Sequence, residues 1–349
     1  MAARLKIGLV GCGSFGKFLG KYFQESADIA ALCDTNRAGM DQTAEHLAIN
    51  VPQYSDYRKM FRDAKLDAVA VTAANFVHMP ITIAAAKRGL HVFCEKAMAL
   101  NTRECWKMVR ACEENNVKLM VGHKRRLRPP WARMIELTRD DLLGPPLAIT
   151  VTQYADMRPY NYPGTWWADP KTAGGGMLTL LGVHVIDWFG AMCGDAAQVS
   201  AVYGPQLDAG YKFPDVSHAT YVFQSGAIAT INSSSAYPLH RFREAQGPRV
   251  QCRGGAMKLE PFMDHIDLYW QRLDEDEPHH ERFDDLGFDH AYRLETSDFV
   301  RWITEDRKPC LTWVEGLRCV EMMEAAYRSA DRGGRVVTFP LHPKLESSS

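Results

Sequence analysis

Leu5-Lys-Ile-Gly-Leu-Val10 runs directly into Gly11-Cys12-Gly13-Ser14-Phe15-Gly16, and a helix-period stretch, Ser14–Glu25, follows. An apolar strand, a G-x-G-x-x-G turn and a helix in that order form a βα unit suited to a dinucleotide. Gly11 allows the tight turn, Gly13 lets backbone approach a pyrophosphate, and Gly16 lets helix and strand pack closely. Cys12, Ser14 and Phe15 complete the turn, whose helix-start N–H groups face the phosphates. Asp34 follows about 20 residues later, at the end of the second apolar run, where a carboxylate accepts from the ribose hydroxyls of NAD and repels a 2′-phosphate. Arg37 could accommodate such a phosphate, or it is a solvated residue in the first turn of a helix. The expected cofactor is NAD, with NADP less favoured.

Outward from this unit the pattern repeats. Short apolar runs at Leu5–Val10, Ile29–Cys33, Leu66–Thr72, His91–Cys94 and Val117–Val121 alternate with helical stretches at Ser14–Glu25, Arg37–Leu47, Met79–Arg88 and Thr102–Asn115. Asn101 is a good N-cap for the last helix. Such alternation implies parallel strands joined by right-handed crossovers, a doubly wound α/β sheet of the Rossmann type. After Gly122 the grammar changes. A helix at Pro130–Thr138 leads to hairpins, the clearest being Val216–Gln224, the turn Ser225-Gly226, and Ala227–Ser234. A second pairs Val250–Cys252 with Ala256–Glu260 across Gly254-Gly255. Acidic Asp274–Glu281 reads as a loop, and helices are expected at His290–Glu305 and Val314–Asp331. The expected domains are 1–122, a Rossmann domain; 123–341, an α+β domain with a large, mainly antiparallel open sheet; and a tail, 342–349.

Among 349 residues, 41 Lys and Arg nearly balance 42 Asp and Glu, so no net field points to nucleic acid or a membrane surface. On charge alone the basic run Lys124-Arg125-Arg126 with Arg128 reads as a solvated face. The nine cysteines show no C-x-x-C pair and no zinc spacing, so no metal is expected. Cys33, Cys94, Cys193 and Cys252 read as buried hydrophobes in a reducing compartment. No segment reads as a signal peptide or as long enough to span a bilayer, and the cytoplasm is the expected location.

Two polar positions carry the chemistry. Glu95-Lys96 closes a strand, and His184 lies in the run Ala173-Gly-Gly-Gly-Met-Leu-Thr-Leu-Leu-Gly-Val-His184-Val-Ile-Asp187. With these, the chain resembles the Gfo/Idh/MocA oxidoreductases, the glucose-fructose oxidoreductase and inositol dehydrogenase superfamily. The resemblance covers nearly the whole chain. It rests on Gly11–Gly16, Thr72-Ala73-Ala-Asn75-Phe-Val-His78, His91-Val-Phe-Cys-Glu95-Lys96, Val121-Gly-His-Lys-Arg-Arg126, Trp166-Trp167-Ala-Asp-Pro170, Gly174-Gly-Gly176 with His184 and Asp187, and Arg328-Ser-Ala-x-x-Gly-Gly334-Arg-Val-Val.

The resemblance implies sugar or cyclitol substrates bound against the nicotinamide, and a sheet used for homodimer or homotetramer contacts. Thr72, Ala73, Asn75, His78, Glu95, Lys96, Arg126 and Trp166 would then lie on the cofactor side. Lys96 would stabilise developing alkoxide charge, its pKa lowered beside a cationic ring, and His184 would take the proton. Substrate candidates are Lys96, His184, Asp187, Trp167, His290 and the segment Tyr154-Ala-Asp156-Met-Arg158-Pro-Tyr160-Asn-Tyr162. Arg126 and His290 could equally be an ion-pair and a helix-start residue. Two positions depart from the family pattern. Leu180 stands where an aspartate is common, four residues before the histidine, and Ala97 replaces the proline usual after Glu-Lys, which leaves open the peptide geometry that proline often marks.

The expected activity is NAD-dependent hydride transfer to or from a secondary hydroxyl of a sugar, glycoside or cyclitol. An alternative is glycoside cleavage through transient sugar oxidation and elimination with retained NAD. A third reading is a catalytically silent NAD-binding regulatory protein.

Overall fold

Strand β1 (Lys6–Val10) lies at the centre of a six-stranded parallel sheet, flanked by β2 (Asp28–Cys33) and β4 (Ala68–Val71). With β3 (Gln53–Tyr54), β5 (His91–Glu95) and β6 (Leu119–Gly122) the order is β3-β2-β1-β4-β5-β6. The connections are α1 (Ser14–Ser26), α2 (Arg37–His46), α3 (Tyr57–Asp63), α4 (Asn75–Ala86) and α5 (Thr102–Glu114). Covered on both faces, the central strands are unbroken apolar runs: Ile7, Leu9, Val69, Ala70 and Val92 are fully buried. As expected, Asn101 caps α5, its side chain accepting from Glu104 N. The expected helix at Met79–Arg88 starts earlier, at Asn75, and the short β3 and α3 were not foreseen. This computed structural model describes residues 4–157, 164–206, 210–237, 246–262, 264–284 and 287–342.

The chain divides into two compact units. The first holds the residues up to His123 together with Asp289–Leu317, and the second holds Lys124–Phe288 with the residues from Arg318 onward. Most of a late helix, Phe288–Glu305, thus packs on the Rossmann sheet. Its Phe299 is fully buried against Phe93 at 5.7 Å and Phe23 at 6.2 Å, and those two rings meet edge-on at 5.3 Å. Tyr22 donates its hydroxyl to Asp289 at 2.6 Å, and Lys118 pairs with Asp306 at 2.6 Å.

The second unit is built on a nine-stranded mixed sheet. Its strands are β7 (Pro146–Tyr154), β8 (Ala196–Tyr203), β9 (Val216–Phe223), β10 (Ile228–Ser234), β11 (Gln246–Cys252), β12 (Gly255–Pro261), β13 (Ile266–Arg272), β14 (His279–Phe283) and β15 (Val337–Thr338). The order is β14-β13-β12-β11-β7-β10-β9-β8-β15. Both expected hairpins form, β9 with β10 and β11 with β12; only β10 with β7 is parallel. The loop expected at Asp274–Glu281 ends early, because His279 begins β14, which pairs with β13 and stacks His279 on Trp270 at 3.8 Å.

Helices α6 (Pro129–Leu137), α7 (Pro170–Ala173) and α8 (Val183–Cys193) belong to this unit. Trp131 of α6 meets Trp188 of α8 edge-on at 5.0 Å, and both are fully buried. The basic run is not the solvated face expected from charge. Arg125 and Arg128 are 4% and 1% exposed, with guanidinium groups over Trp131 at 4.6 Å and Phe288 at 4.1 Å. A planar, weakly hydrated cation can be buried on an aromatic face where an ammonium is costlier to desolvate. The stretch Pro170–Cys193 does meet the length and hydropathy of a membrane span, contrary to expectation, but 83% of its apolar window is buried inside the protein. That is the signature of a core helix.

Phe299→Ala should lower stability by about 3–5 kcal/mol, since it removes the ring joining α1 and β5 to the late helix. Urea melts monitored by circular dichroism test this; a loss below about 1 kcal/mol would show that those residues do not complete the first core.

Candidate active site

In the first unit the glycine turn is fixed from three sides. Gly11 has φ of +97°, and a Cβ there would stand 2.5 Å from the Ala73 backbone nitrogen. At Gly16 a Cβ would stand 1.8 Å from the Gly11 carbonyl oxygen, so α1 approaches the turn only because no side chain intervenes. Thr72 on the neighbouring strand end donates its hydroxyl to Gly11 O at 2.7 Å. Gly13 is different: nothing lies within 4 Å of its Cβ position. No packing within the chain requires glycine there, whereas close approach of a pyrophosphate would. Gly13 is also the N-cap of α1 and supplies no side-chain cap, as an anion-binding helix start requires. The cradle therefore fits a dinucleotide.

Asp34 accepts from Cys12 N at 2.7 Å and from Asn36 N at 2.8 Å, tying the turn to the start of α2. Each carboxylate oxygen retains a second lone pair for a ribose hydroxyl. Arg37 is exposed and paired with Asp41 at 3.2 Å. Cys12 is buried, and burial with the charge of Asp34 pushes its thiol up to about 12, so it stays a neutral packing group. Ser14 is exposed, and Phe15 packs near Phe18 and Tyr292, each at 6.0 Å.

The loops after β4 and β5 carry the other candidates of this unit. Asn75 is buried at the first turn of α4. The ring nitrogens of His78 lie 2.9 Å from the Ala97 and Ala73 carbonyl oxygens. His78 is fully buried, and that burial lowers its pKa; the neutral ring has one N–H, so it donates to one of these two carbonyls. Its ring lies between the loop of Thr72 and Ala73 and the loop of Lys96. The Lys96–Ala97 peptide is cis with alanine where the family proline is usual. Buried Glu95 accepts from Lys96 N at 3.1 Å, and Lys96 itself is half-buried.

In the second unit Trp166 and Trp167 lie 4.4 Å apart with their rings tilted by 31°, and they pack on an apolar cluster that includes Met177, Leu180, Tyr211 and Phe213. Leu180, at the family's aspartate position, is 1% exposed in that cluster. A π-helical turn, Leu178–Gly182, leads into α8, whose second residue is His184, 9% exposed. π-turns within helices recur at functional sites.

Asp187 and Arg126, expected to face substrate and cofactor, are paired with each other. Arg126 Nη2 meets Asp187 Oδ1 at 2.6 Å and Nε meets Oδ2 at 2.9 Å, with side chains 11% and 1% exposed. This fork locks the start of the second unit to the helix of His184. Tyr154 lies against Tyr237 at 4.9 Å, and Asp156 forms a single bridge to Ala236. Arg158 and Tyr160 lie outside the described residues. His290 is exposed in the first turn of its helix and belongs to the first unit. Among the described residues no group of three or more His, Cys, Asp or Glu is arranged to hold a metal. Sequence reasoning missed Tyr327, whose hydroxyl accepts from Gly176 N at 2.8 Å and Thr179 N at 2.9 Å. Its one signal was adjacency to the Arg328-Ser-Ala segment.

Comparison with known proteins agrees with this geometry. The profile described as oxidoreductase family, NAD-binding Rossmann fold, matches residues 5–123, and that described as oxidoreductase family, C-terminal alpha/beta domain, matches 135–339. A D-xylose 1-dehydrogenase (NADP(+)) of Haloferax volcanii is 27% identical over 312 residues, covering 88% of this chain and 91% of that protein. A 2,7-anhydro-N-acetylneuraminate hydratase of Mediterraneibacter gnavus is 38% identical over 117 residues, covering 33% of this chain and 30% of that protein. The structure of a levoglucosan dehydrogenase with NADH has a TM-score of 0.87 at 20% identity, over 96% of this chain and 99% of that one, which shows the shared fold.

Two measurements test the site. Gly16→Ala should destabilise the first unit, while Gly13→Ala should leave the melting temperature unchanged and weaken NAD⁺ binding in a fluorescence titration; equal loss of stability would mean that Gly13 serves packing. His78, ordinarily near 6.5, is held lower in the fold, so the unfolded chain binds more protons below that pH. Stability should therefore fall as pH drops through 6.5 towards the depressed value, and the fall should be shallower in His78→Gln, as measured by melts across pH.

Proposed function

The chain belongs to the Gfo/Idh/MocA oxidoreductase family and is an NAD-binding oxidoreductase; from that premise we propose that it oxidises or reduces a secondary carbinol of a sugar, glycoside or cyclitol. The observation that carries this reading is the dinucleotide cradle left open at Gly13, in the same unit as Lys96. Gly13 leaves an open approach and α1 an uncapped start; Lys96 follows β5 beside Glu95, and in the second unit His184 is the second residue of α8, after the π-helical turn Leu178–Gly182.

Bound nicotinamide supplies the hydride acceptor or donor. The residues of this chain manage the other half of the balance. A carbinol that loses hydride from carbon must lose a proton from oxygen. His184 takes that proton, since imidazole titrates near neutrality. Lys96 holds the oxygen and stabilises the alkoxide charge as it develops. The proposed cofactor is NAD over NADP, because the Asp34 carboxylate stands at the end of β2 and Arg37 is engaged with Asp41.

One observation favours a second reading, glycoside cleavage by transient oxidation and elimination with NAD retained. Leu180 stands where the family commonly has an aspartate and continues the apolar cluster of Trp166 and Trp167. A relative named a hydratase, whose net chemistry is not redox, supports keeping it.

Absorbance at 340 nm, with NAD⁺ offered against sugars, uronic derivatives, glycosides and cyclitols, distinguishes the two. The first reading predicts accumulating NADH that Lys96→Ala and His184→Ala each reduce by about 100- to 10,000-fold. Released aglycone without net NADH would establish the second. Turnover unaffected by either variant would remove both residues from the mechanism.

A further inference from the structure

We infer that Tyr327 is the positioning residue for His184, acting through the hydrogen-bonded turn that launches the histidine's helix. The inference rests on the proposed role of His184 as proton acceptor and concerns how that imidazole is held. Tyr327 lies 148 residues beyond Thr179 in sequence, yet three polar groups of the Gly174–Thr179 turn meet its hydroxyl.

The proton directions follow from what each atom can do. Gly174 O only accepts, so the Thr179 hydroxyl, 3.2 Å away, must donate to it. Thr179 has no second proton, so the Tyr327 hydroxyl, 3.0 Å from Thr179 Oγ1, donates in that contact. The Tyr327 oxygen then accepts from Gly176 N and Thr179 N. Two acceptor sites and one donor are all filled. Burial pushes the phenol up to about 12, so the neutral form this arrangement needs is the one present.

The turn is also shaped around the ring. Gly175 has φ of +141°, and a Cβ there would stand 2.2 Å from Tyr327 Cε2. No other residue type fits between the ring and the turn. Thr179 lies within the π-helical turn Leu178–Gly182, and Gly182 directly precedes α8, with His184 at its second position. The hydroxyl thus holds one end of the segment at Gly176 and Thr179, while the Arg126–Asp187 fork holds the other. Removing the hydroxyl leaves two buried N–H groups without that acceptor, and the turn must shift to find another. Such a shift displaces His184, and a displacement of about 1 Å costs on the order of 100-fold in rate when a proton must move.

The test uses the whole protein carrying Tyr327→Phe, which keeps the ring and removes only the oxygen. The first readout is the imidazole C–H resonance of His184, assigned by its loss in His184→Gln and followed across pH without substrate. The second is kcat and KM on whichever substrate the carbohydrate panel yields. A moved resonance and titration midpoint, with kcat reduced by at least about 10-fold and KM little changed, are expected. A His184 resonance and titration identical to those of the parent protein, with only the melting temperature lowered, would overturn the inference and leave Tyr327 a packing residue. Should Tyr327→Phe fail to fold, Thr179→Val removes the hydroxyl between Tyr327 and Gly174 O and is read the same way. If no panel member turns over, the resonance still decides the inference, and the proposed activity fails separately.

Discussion

The closeness with which α1 approaches the end of β1 is the constraint on which the first unit depends. With a Cβ at Gly16 only 1.8 Å from Gly11 O, no residue but glycine lets the helix start where it does. The Thr72 hydroxyl on Gly11 O and the Asp34 carboxylate on Cys12 N then fix the turn from two neighbouring strands. Each of these contacts lies at the C-terminal edge of a parallel sheet, where open α/β folds bind ligands. The turn is thus held by contacts within the chain, and Gly13 is left open where approach is needed. The same edge carries His78, whose ring lies between the loop of Ala73 and that of Ala97.

The second unit holds its histidine by different means. Backbone turns and a π-helical turn cannot fix a helix start alone, so a phenol at one side and a buried guanidinium–carboxylate fork at the other do so. The fork has a local cost: two charges leave water, and the bidentate geometry offsets the loss only because both partners are present. Leu180, where the family commonly has an aspartate, is 1% exposed and continues the apolar cluster instead.

Much of this was legible in the sequence because it is local. The glycines, Asp34 and the alternation of strands and helices lie within stretches of about 30 residues, the scale on which a βα unit is specified. Lys96 and His184 are proposed on the strength of the motifs around them. What could not be read is what depends on distant partners. The amphipathic pattern of Phe288–Glu305 announces a buried face without saying that Phe23 and Phe93 receive it. Arg125 and Arg128 look like surface charges until Trp131 and Phe288 are seen beneath them. Arg126 reads in the sequence as either a cofactor contact or an ion-pair residue, and the partner it meets, Asp187, lies 61 residues away. His78 showed a motif position but not its two carbonyl partners.

The central claim is that the Gly11–Gly16 turn and Asp34 form a site for NAD. Isothermal titration calorimetry of the wild-type protein with NAD⁺ and with NADP⁺ tests it most directly. The account predicts one NAD⁺ per chain with a dissociation constant on the order of 1 μM to 1 mM, and NADP⁺ binding at least about 10-fold weaker. Equal affinity for both would contradict the role given to Asp34, and no heat with either would contradict the site itself.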